Sequence, residues 1–368
     1  MSGELAAGER ARLVDLVLRE SLGLRGGETV TIETWTHSLG WADELTAAAR
    51  RIGAHPLVLY ESEPAFWSSD APAVTRAMAT LGATEVAVLE ASDAWVYLPG
   101  PSDLPRIAST KPALQRVLDR WDDQWLRLAS ARGLRACRLE FAGASPPLAE
   151  LYGVDLAAWQ RELYEGSLVP PKQLEATGQK IARSLAKGRR VTLTHPNGTH
   201  LTLGLKGREP VVLDGRIRPR DQRSGRLLTS LPSGVVIVPL DERFAEGTVR
   251  ANLITRHYRG TFGDAHWTFR DGRLAEATAG AGRGVFDASW SRAGPERARP
   301  ALFSIGLNPK IRSAPFLEDQ RTGVVTVYIG RNADFGGRTR GAYREYAMLD
   351  GADVAVDGRP LVSGGRIV

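Results

Sequence analysis

An α/β domain followed by a mostly antiparallel β domain is the architecture that this 368-residue sequence predicts. Helical and strand patterns alternate in the first part of the chain, whereas short strands and turn dipeptides dominate the second part. The length also exceeds what a single core usually supports. We therefore place an α/β domain, with a parallel sheet flanked by helices, at residues 1–165 and a β-rich domain at residues 166–368.

The first domain is predicted from alternating periodicities. Apolar residues at helical spacing predict helices over residues 9–24, 41–54, 71–83 and 112–133. Short β-branched and apolar runs predict strands over residues 28–33, 55–60, 84–90 and 134–141. The Gly-rich stretch at residues 23–28 lies between a helix and the following strand. Because a dinucleotide-binding loop requires the opposite order, we predict a framework role for this domain.

The second domain begins with one more helix and then changes to strands. A helix is predicted over residues 173–188, followed by a hairpin that turns at Asn197-Gly198. Further strands are predicted at residues 235–240, 266–277, 324–330 and 354–368. One helical excursion is predicted near residues 284–294. The domain is therefore expected to be mostly antiparallel β structure.

Composition limits the classes of protein that need to be considered. No apolar run reaches the length of a membrane span, and the N-terminal residues contain no apolar signal-peptide stretch. A cytoplasmic location and no membrane partner are expected. The single cysteine, Cys137, excludes an internal disulfide, and its apolar neighbours favour a buried core thiol over a nucleophile.

Basic residues are concentrated in one segment of the chain. The net charge of +6 is modest, but residues 206–226 are rich in arginine. Strand alternation would place three of these guanidiniums on one face, which is a spacing suited to phosphate contacts. A solvated edge strand protected by charge is the alternative interpretation. The candidate tRNA-binding residues are Arg216, Arg218, Arg220, Arg223 and Arg226.

Five sequence blocks in the second half carry a family resemblance. They are LPSGVVIVPLDERFAEGTVRAN (231–252), FRDGRLAEA (269–277), FSIGLNPKI (303–311), GVVTVYIGRNADFGG (323–337) and VAVDGRPLV (354–362). In their order and spacing, these blocks resemble the aminopeptidase T, or thermophilic metalloprotease, family. The resemblance covers most of residues 170–368 and implies an aminopeptidase T-like fold and a homodimer.

The resemblance implies a pair of divalent metals, but the positions that match the family's ligands carry other residues. These positions are Val235, Leu302, Thr326, Ala333, Arg344 and Tyr346. Hard divalent ions need carboxylate or imidazole donors, and a guanidinium adds positive charge where a metal would sit. We therefore expect no metal and no cofactor. The same argument disfavours the iron-dependent dihydroxypyridine ring-cleaving dioxygenases, which share this build.

A rival metal site would have to be assembled from the six histidines, which are His37, His55, His195, His200, His257 and His266. No two of them have helical ligand spacing, so we regard this alternative as weak. His200, close to the Asn-Gly turn, is instead a candidate general base, although a histidine that is merely hydrated would look the same in the sequence.

In place of metals, we predict a rebuilt pocket. Arg344 would hold a carbonyl oxygen or phosphate, Tyr346 and Thr326 would donate hydrogen bonds, and Glu345 or Asp334 could act as base. The remaining candidates for substrate binding are Ser304, Asn308, Lys310 and Asp334. An exposed strand with alternating charge is the competing interpretation of the segment around Arg344.

These features favour acyl transfer from an activated ester. Ester aminolysis needs an oriented amine and a stabilised oxyanion but no Lewis acid. Aminoacyl-tRNA is an activated amino acid ester of the cytoplasm, and the arginine segment suits it as a partner. In its missing ligands, basic charge and fold, the chain is similar to the aminoacyl-tRNA-dependent transferase of valanimycin biosynthesis. The function expected is metal-independent transfer to a small amine or hydroxylamine acceptor in natural-product biosynthesis. The alternatives are a metallo-aminopeptidase-like hydrolase and a noncatalytic scaffold.

Overall fold

A computed structural model describes residues 5–68, 80–108, 112–205 and 207–368 of the chain. The polypeptide divides into two compact units, and each is made from two stretches of chain. The first unit contains Met1–Leu168 and Gly215–Pro232, and the second contains Val169–Asp214 and Ser233–Val368. A parallel α/β sheet forms the first unit and antiparallel sheets form the second, which confirms the predicted fold class.

The strands are numbered in chain order through the described residues. They are β1 (Thr29–Trp35), β2 (His55–Glu61), β3 (Ala94–Tyr97), β4 (Arg135–Leu139), β5 (Arg190–His195), β6 (Thr199–Gly204), β7 (Val211–Leu213), β8 (Leu228–Leu231), β9 (Val235–Pro239), β10 (Ala245–Arg250), β11 (Thr255–His257), β12 (Gly260–Phe262), β13 (His266–Arg270), β14 (Arg273–Thr278), β15 (Pro300–Gly306), β16 (Val325–Gly330), β17 (Arg344–Leu349), β18 (Asp353–Val356), β19 (Arg359–Ser363) and β20 (Arg366–Ile367).

The α-helices are numbered in the same way. They are α1 (Ala7–Asp15), which continues into a π-helical turn at Leu16–Ser21, α2 (Leu39–Ile52), α3 (Glu63–Trp67), α4 (Ala83–Ala91), α5 (Leu104–Ala108), α6 (Pro112–Arg132), α7 (Glu140–Gly143), α8 (Pro146–Tyr152), α9 (Leu156–Ser167), α10 (Pro171–Lys187), α11 (Pro219–Arg223) and α12 (Arg283–Arg292). Within the described residues, no helix combines the length and the apolar character needed to cross a bilayer.

The first unit is built on a parallel sheet in the order β2-β1-β3-β4-β8. Every strand pairing in this sheet is parallel. α2 ends at Gly53, which adopts the left-handed conformation with φ of 84°. Cys137 is buried in β4, and this burial raises the pKa of its thiol. The thiol is therefore part of the core of the sheet.

One predicted strand is wrong. Residues 84–90 belong to the helix α4. The strand that joins the sheet is the next element along the chain, β3. The Glu85 side chain accepts a hydrogen bond from the backbone N–H of Gly82 at 2.6 Å, which caps the start of this helix. Leu89 is buried with Trp95 and Ala129, so packing outweighs the strand preference of the valines. The helix predicted over residues 71–83 falls mainly outside the described residues.

The arginine segment does not form a strand, so strand alternation does not place three of its guanidiniums on one face. Arg216 and Arg218 lie in irregular backbone, and Arg220 and Arg223 lie in α11. Pro219 at the first position of this helix and Asp221 in its first turn favour helix initiation here. After α11 the chain enters β8, which pairs in parallel with β4 of the first unit.

The second unit contains two antiparallel sheets. The larger has eight strands in the order β14-β13-β10-β6-β5-β18-β19-β20, and the smaller has five in the order β17-β16-β15-β9-β7. Residues from both sheets and from α10 form one buried hydrophobic core, which includes Leu193, Trp267, Phe303 and Val327. The predicted hairpin at Asn197-Gly198 is confirmed, with Gly198 at φ 93°. The predicted helical excursion is also confirmed and corresponds to α12.

Candidate functional site

The sheet β17-β16-β15-β9-β7 of the second unit has one face in the core of that unit and a second face turned away from that core. We call this second face the site face. Strand alternation sends Val236, Phe303 and Val327 into the core and the residues between them to the site face. The floor of the site face is apolar. It is formed by Val235, Ile237, Ala301, Leu302 and Tyr328, with Leu213, Phe335 and Tyr346 packed against them.

A row of hydroxyl groups crosses this apolar floor. Ser304 lies opposite Thr326 in the β15–β16 ladder, and Tyr328 lies opposite Tyr346 in the β16–β17 ladder. The Ser304 Oγ and Tyr328 Oη atoms are 3.4 Å apart. The Thr326 hydroxyl is fully buried and has no hydrogen-bond partner among the described residues. An unpartnered buried hydroxyl is costly, which makes this row a place where a ligand would supply the missing partner.

Two adjacent carboxylates border the hydroxyl row. They belong to the 3-10 turn Glu318–Gln320, and the Tyr328 hydroxyl donates to Oδ2 of Asp319 at 3.2 Å. Gly306 of β15 permits this turn to lie on the strand, since a Cβ atom there would be 2.7 Å from the carbonyl oxygen of Asp319. Glu318 forms an ion pair with Arg256 of β11.

Burial controls the ionisation of both carboxyl groups. It raises the pKa of Glu318 to about 7, because desolvation outweighs the attraction of the Arg256 guanidinium. It also raises the pKa of Asp319 to about 6, although the hydrogen bond from Tyr328 acts in the opposite direction. Both groups therefore titrate near neutral pH, where a carboxyl group can take up or release a proton.

The tyrosine hydroxyls of this face are donors rather than nucleophiles. Burial, together with the nearby Asp319 carboxylate, raises the pKa of Tyr328 far above its ordinary value. Burial and the charges of Glu345 and Glu318 do the same for Tyr346. The Tyr346 hydroxyl donates to the backbone carbonyl of Arg256 at 3.1 Å. Both phenols keep their protons at neutral pH and can donate hydrogen bonds to oxygen atoms.

Arg344 lies at the start of β17 and is engaged by its own neighbours. Its Nε donates to the carbonyl oxygen of Arg331 at 2.9 Å, and its guanidinium forms an ion pair with Asp334. The guanidinium carbon also lies 5.4 Å from the centroid of the Phe335 ring. Two residues predicted for separate roles, Arg344 and Asp334, are thus brought together as an ion pair at the border of the site face, and Asp334 also lies 3.7 Å from the Arg331 guanidinium.

Other predicted site residues are dispersed. Glu345 points to the core side of β17, where His257 and Ser289 contact it. Asn308 is buried and donates to the carbonyl oxygen of Ser233 at 2.7 Å, so it holds the chain after β15. Lys310 is exposed.

His200 and the arginine segment do not belong to the sheet that carries the site face. His200 is exposed in the eight-stranded sheet, opposite Thr248 of β10. The arginines belong to the first unit. Two of them are partly neutralised by Asp221, since its Oδ1 accepts from Arg226 at 2.7 Å and its Oδ2 lies 3.7 Å from Arg218. Arg220 and Arg223 are the most exposed of the five.

The residues of the site face do not fit a divalent metal. Val235 and Leu302 are buried in the apolar floor, and Arg344 places a cation at its border. In the part of the chain that the structure describes, no three His, Cys, Asp or Glu side chains lie close enough together to bind a metal ion. The donors offered at this face are hydroxyls and protonatable carboxyls, which suit an organic ligand better than a hard cation.

Several residues of the site were missed by the sequence analysis. They are Tyr328, Asp319, Glu318 and Arg256, while His257 was considered only as a possible metal ligand. A signal for Tyr328 was present, because it stands two residues after Thr326 on a predicted strand and therefore shares its face. Glu318 and Asp319 precede that strand as an adjacent pair. No local pattern relates Arg256 to Glu318, which is 62 residues away.

Comparisons with known proteins agree with this architecture. No protein-family model and no curated protein sequence matches the chain. The solved structures that share its fold over almost the whole length include the following two. Wild-type AmpT from Thermus thermophilus, an aminopeptidase T, matches with a TM-score of 0.73 and 18% identity, over 98% of this chain and 99% of that chain. A 2,5-dihydroxypyridine dioxygenase from Pseudomonas putida KT2440 matches with a TM-score of 0.63 and 16% identity, over 99% of this chain and 98% of that chain. The protein therefore has an aminopeptidase T-like fold.

Proposed function

We propose that this protein is a metal-independent aminoacyltransferase that moves an aminoacyl group from aminoacyl-tRNA to a small amine or hydroxylamine in natural-product biosynthesis. The observation that carries the proposal is the composition of the site face. Hydroxyl donors and two protonatable carboxyls surround an apolar floor, on a face that includes Val235, Leu302, Thr326 and Tyr346, where the family resemblance implies metal ligands. Such a surface can bind an amino acid ester and stabilise charge as it reacts.

The two carboxyls suit the α-ammonium group of an aminoacyl ester. Glu318 and Asp319 are adjacent and desolvated, and their raised pKa values mean that both gain from a cationic neighbour. A bound ammonium would favour their ionised forms and would lower both pKa values. The ion pair with Arg256 balances the charge of Glu318, whereas Asp319 accepts from the neutral Tyr328 hydroxyl, so Asp319 is the carboxyl at which a second cation would be placed.

The hydroxyl row suits the ester carbonyl. Thr326 is the hydroxyl that has no partner within the described residues, so we assign it as the donor to the carbonyl oxygen of the bound ester. Tyr346 lies on the same face and keeps its proton, and it could exchange its contact with the Arg256 carbonyl for a ligand. Arg344 and Asp334 would border the acceptor or the terminal nucleotide. These groups stabilise an oxyanion without a Lewis acid.

The arginine segment would contribute contacts to the tRNA backbone. Arg220 and Arg223 are exposed in α11, and Arg216, Arg218 and Arg226 lie on either side of that helix. Each guanidinium that neutralises a phosphate releases a counterion, so this part of the affinity should fall steeply with salt. The preference for aminoacylated over deacylated tRNA would come from the site face.

A metallo-aminopeptidase-like hydrolase is the second candidate, and the fold shared with AmpT is what favours it. A hydrolase of that kind should gain activity with added divalent metal and lose it to a chelator, whereas the transferase should respond to neither. A noncatalytic scaffold is the third candidate. It should tolerate Arg344→Ala and Tyr346→Phe without loss of function.

Binding of aminoacylated against deacylated tRNA tests the proposal directly. At about 150 mM salt, where charge alone contributes little, we expect the protein to retain the aminoacylated form at least about tenfold better. Sequencing of the retained tRNA would identify the amino acid. Paired loss of Arg220 and Arg223 should weaken both forms equally, which separates backbone contacts from recognition of the aminoacyl group.

Turnover provides the second readout. With the selected tRNA and hydroxylamine as acceptor, Arg344→Ala and Tyr346→Phe should each lower kcat/KM at least about tenfold. Equal binding of the two tRNA forms, together with no transfer to the acceptor, would leave the arginine segment as a surface feature and would refute the proposal. Full transfer activity of both variants would refute the roles given to Arg344 and Tyr346.

A further inference from the structure

A second cluster of polar side chains lies on the core side of β17. Glu345 is only 1% exposed, and its Oε1 atom is 3.1 Å from Nε2 of His257 on β11. Its Oε2 atom accepts from the Ser289 hydroxyl at 3.4 Å. The His257 side chain is 27% exposed, and its Nδ1 has no hydrogen-bond partner among the described residues.

The contact with Glu345 determines which nitrogen of His257 can act. A carboxylate oxygen accepts hydrogen bonds, so Nε2 carries the hydrogen and donates it. Nδ1 therefore presents a lone pair. Because the carboxylate is buried and held by Ser289 as well, it favours this orientation and this tautomer of the ring. A carboxylate that orients an imidazole in this way is the arrangement found in general-base dyads.

The imidazole lies next to the proposed acyl site. Its ring is edge-on to that of Tyr346, with 5.6 Å between the ring centroids. The preceding residue on the same short strand is Arg256, whose side chain pairs with Glu318 and whose carbonyl accepts from Tyr346. On β11, Arg256 thus contacts Glu318 and the next residue, His257, contacts Glu345.

We propose that His257, oriented by Glu345, is the general base that deprotonates the acceptor amine. The inference rests on the proposed function for its substrate. It replaces Glu345 itself, Asp334 and His200 as candidates for the base, because Glu345 is buried behind the imidazole, Asp334 is paired with Arg344, and His200 lies in the other sheet.

The reaction balances without any further reagent. The acceptor nitrogen attacks the ester carbonyl, and the new carbon–nitrogen bond replaces the bond to the ribose oxygen of the tRNA. Nδ1 takes the proton that the nitrogen releases, and the imidazolium then returns it to the departing ribose oxygen. His257 ends in its starting state, and nothing is oxidised or reduced.

His257→Gln is the critical variant, because the glutamine amide can still donate to Glu345 while it offers no basic nitrogen. We expect kcat for transfer to hydroxylamine to fall at least about 100-fold with little change in KM for the aminoacyl-tRNA. His257→Ala should fall similarly and should recover with added imidazole. His55→Ala, which removes an exposed histidine from β2, is the matched control and should behave as wild type.

A measurement without substrate separates this inference from the proposed function. In the intact protein, diethyl pyrocarbonate should modify His257, as read by peptide mass spectrometry, and Glu345→Gln should slow that modification several-fold in a protein whose circular dichroism is unchanged. An unreactive His257, or the same rate in both proteins, would overturn the inference. Full activity of His257→Gln would overturn it too, and would leave aminoacyl transfer standing. A reactive, Glu345-dependent His257 in a protein that transfers nothing would refute the proposed function, while the orientation of His257 by Glu345 would still hold.

Discussion

The ionisation of Asp319 links stability to pH at the residue scale. Burial raises its pKa to about 6, so the folded state holds the proton more tightly than the unfolded state. The stability that this group contributes is therefore present below about pH 4 and is lost as the pH rises through about 6. Asp319→Asn keeps an acceptor for Tyr328 and removes the charge.

We expect Asp319→Asn to raise the free energy of unfolding by about 1–2 kcal/mol at pH 8 and to leave it unchanged near pH 4. This range is below the full value of the shift because Asp319 is only half-buried and solvent screens its charge. Urea denaturation at the two pH values measures the difference. A gain that is equal at both pH values would contradict the assignment of the effect to ionisation.

The buried hydroxyl of Thr326 is expected to lower stability and to support function. Its hydroxyl is buried without a partner among the described residues, and valine has the same shape without the hydroxyl. Thr326→Val should therefore raise the free energy of unfolding by about 1 kcal/mol while lowering kcat/KM for transfer by about tenfold or more. Ser304→Ala, which removes a hydroxyl that already has a contact, should not be stabilising. A Thr326→Val protein of lower stability would show that the hydroxyl has a structural role.

The sequence predicted part of this site and missed another part for a definable reason. Val235, Leu302 and Thr326 could be placed because they stand inside, or directly before, blocks that carry the family resemblance. The pairing of His257 with Glu345 joins residues that are 88 positions apart, and neither has a local pattern that points to the other. A single sequence shows which residues share a strand face, but it does not show which distant strand covers the edge of that face.

At the scale of elements, the connection between β16 and β17 positions the Arg344–Asp334 pair. Asn332 organises this connection: its amide donates to Oε1 of Glu242 at 3.0 Å and accepts from the backbone N–H of Thr339 at 2.9 Å. Burial alone would raise the pKa of Glu242, but the backbone N–H of Arg338 and the Asn332 amide lower it. The carboxylate form therefore holds the connection in place.

Asn332→Ala should lower the free energy of unfolding by about 2 kcal/mol, because it removes one of the donors to the buried Glu242 carboxylate and leaves the backbone N–H of Thr339 without its acceptor. Arg338→Ala is the matched control, since Arg338 contributes its backbone N–H and its side chain is exposed; a change within about 0.5 kcal/mol is expected. Because the pKa of Glu242 is lowered, its contribution is present above about pH 4.5 and is lost as the pH falls. Urea titrations at neutral and acidic pH test both statements, and equal losses at the two pH values would argue against the role of Glu242.

Elements were predicted well where the local signal and the packing agree. The Asn197-Gly198 hairpin combines a turn dipeptide with alternating apolar residues, and it forms as expected. α4 was mistaken for a strand because its valines favour β structure, whereas the N-terminal cap at Glu85 and the burial of Leu89 favour a helix. Tertiary packing decided the outcome in that segment.

At the scale of the whole molecule, the first unit depends on a segment that follows part of the second unit in the chain. β8 pairs in parallel with β4, from Leu228 opposite Ala136 to Leu231 opposite Leu139. The backbone N–H of Ile217 also donates to the carbonyl of Ser21 at 2.9 Å. No local pattern predicts that residues 215–232 return to the first unit, because strands of a parallel sheet can come from any distance along the chain.

A fragment of residues 1–168 should therefore fail to fold stably. It lacks Gly215–Pro232, which removes β8 from the edge of β4 and exposes the apolar face that buried Leu227 covers. An exposed strand edge of this kind promotes aggregation. Residues 1–168 joined by a glycine-serine linker to residues 215–232 should instead be monodisperse, with a cooperative urea transition followed by circular dichroism. If the shorter fragment unfolds as cooperatively as the linked one, β8 is an accessory strand, and the parallel sheet is complete without it.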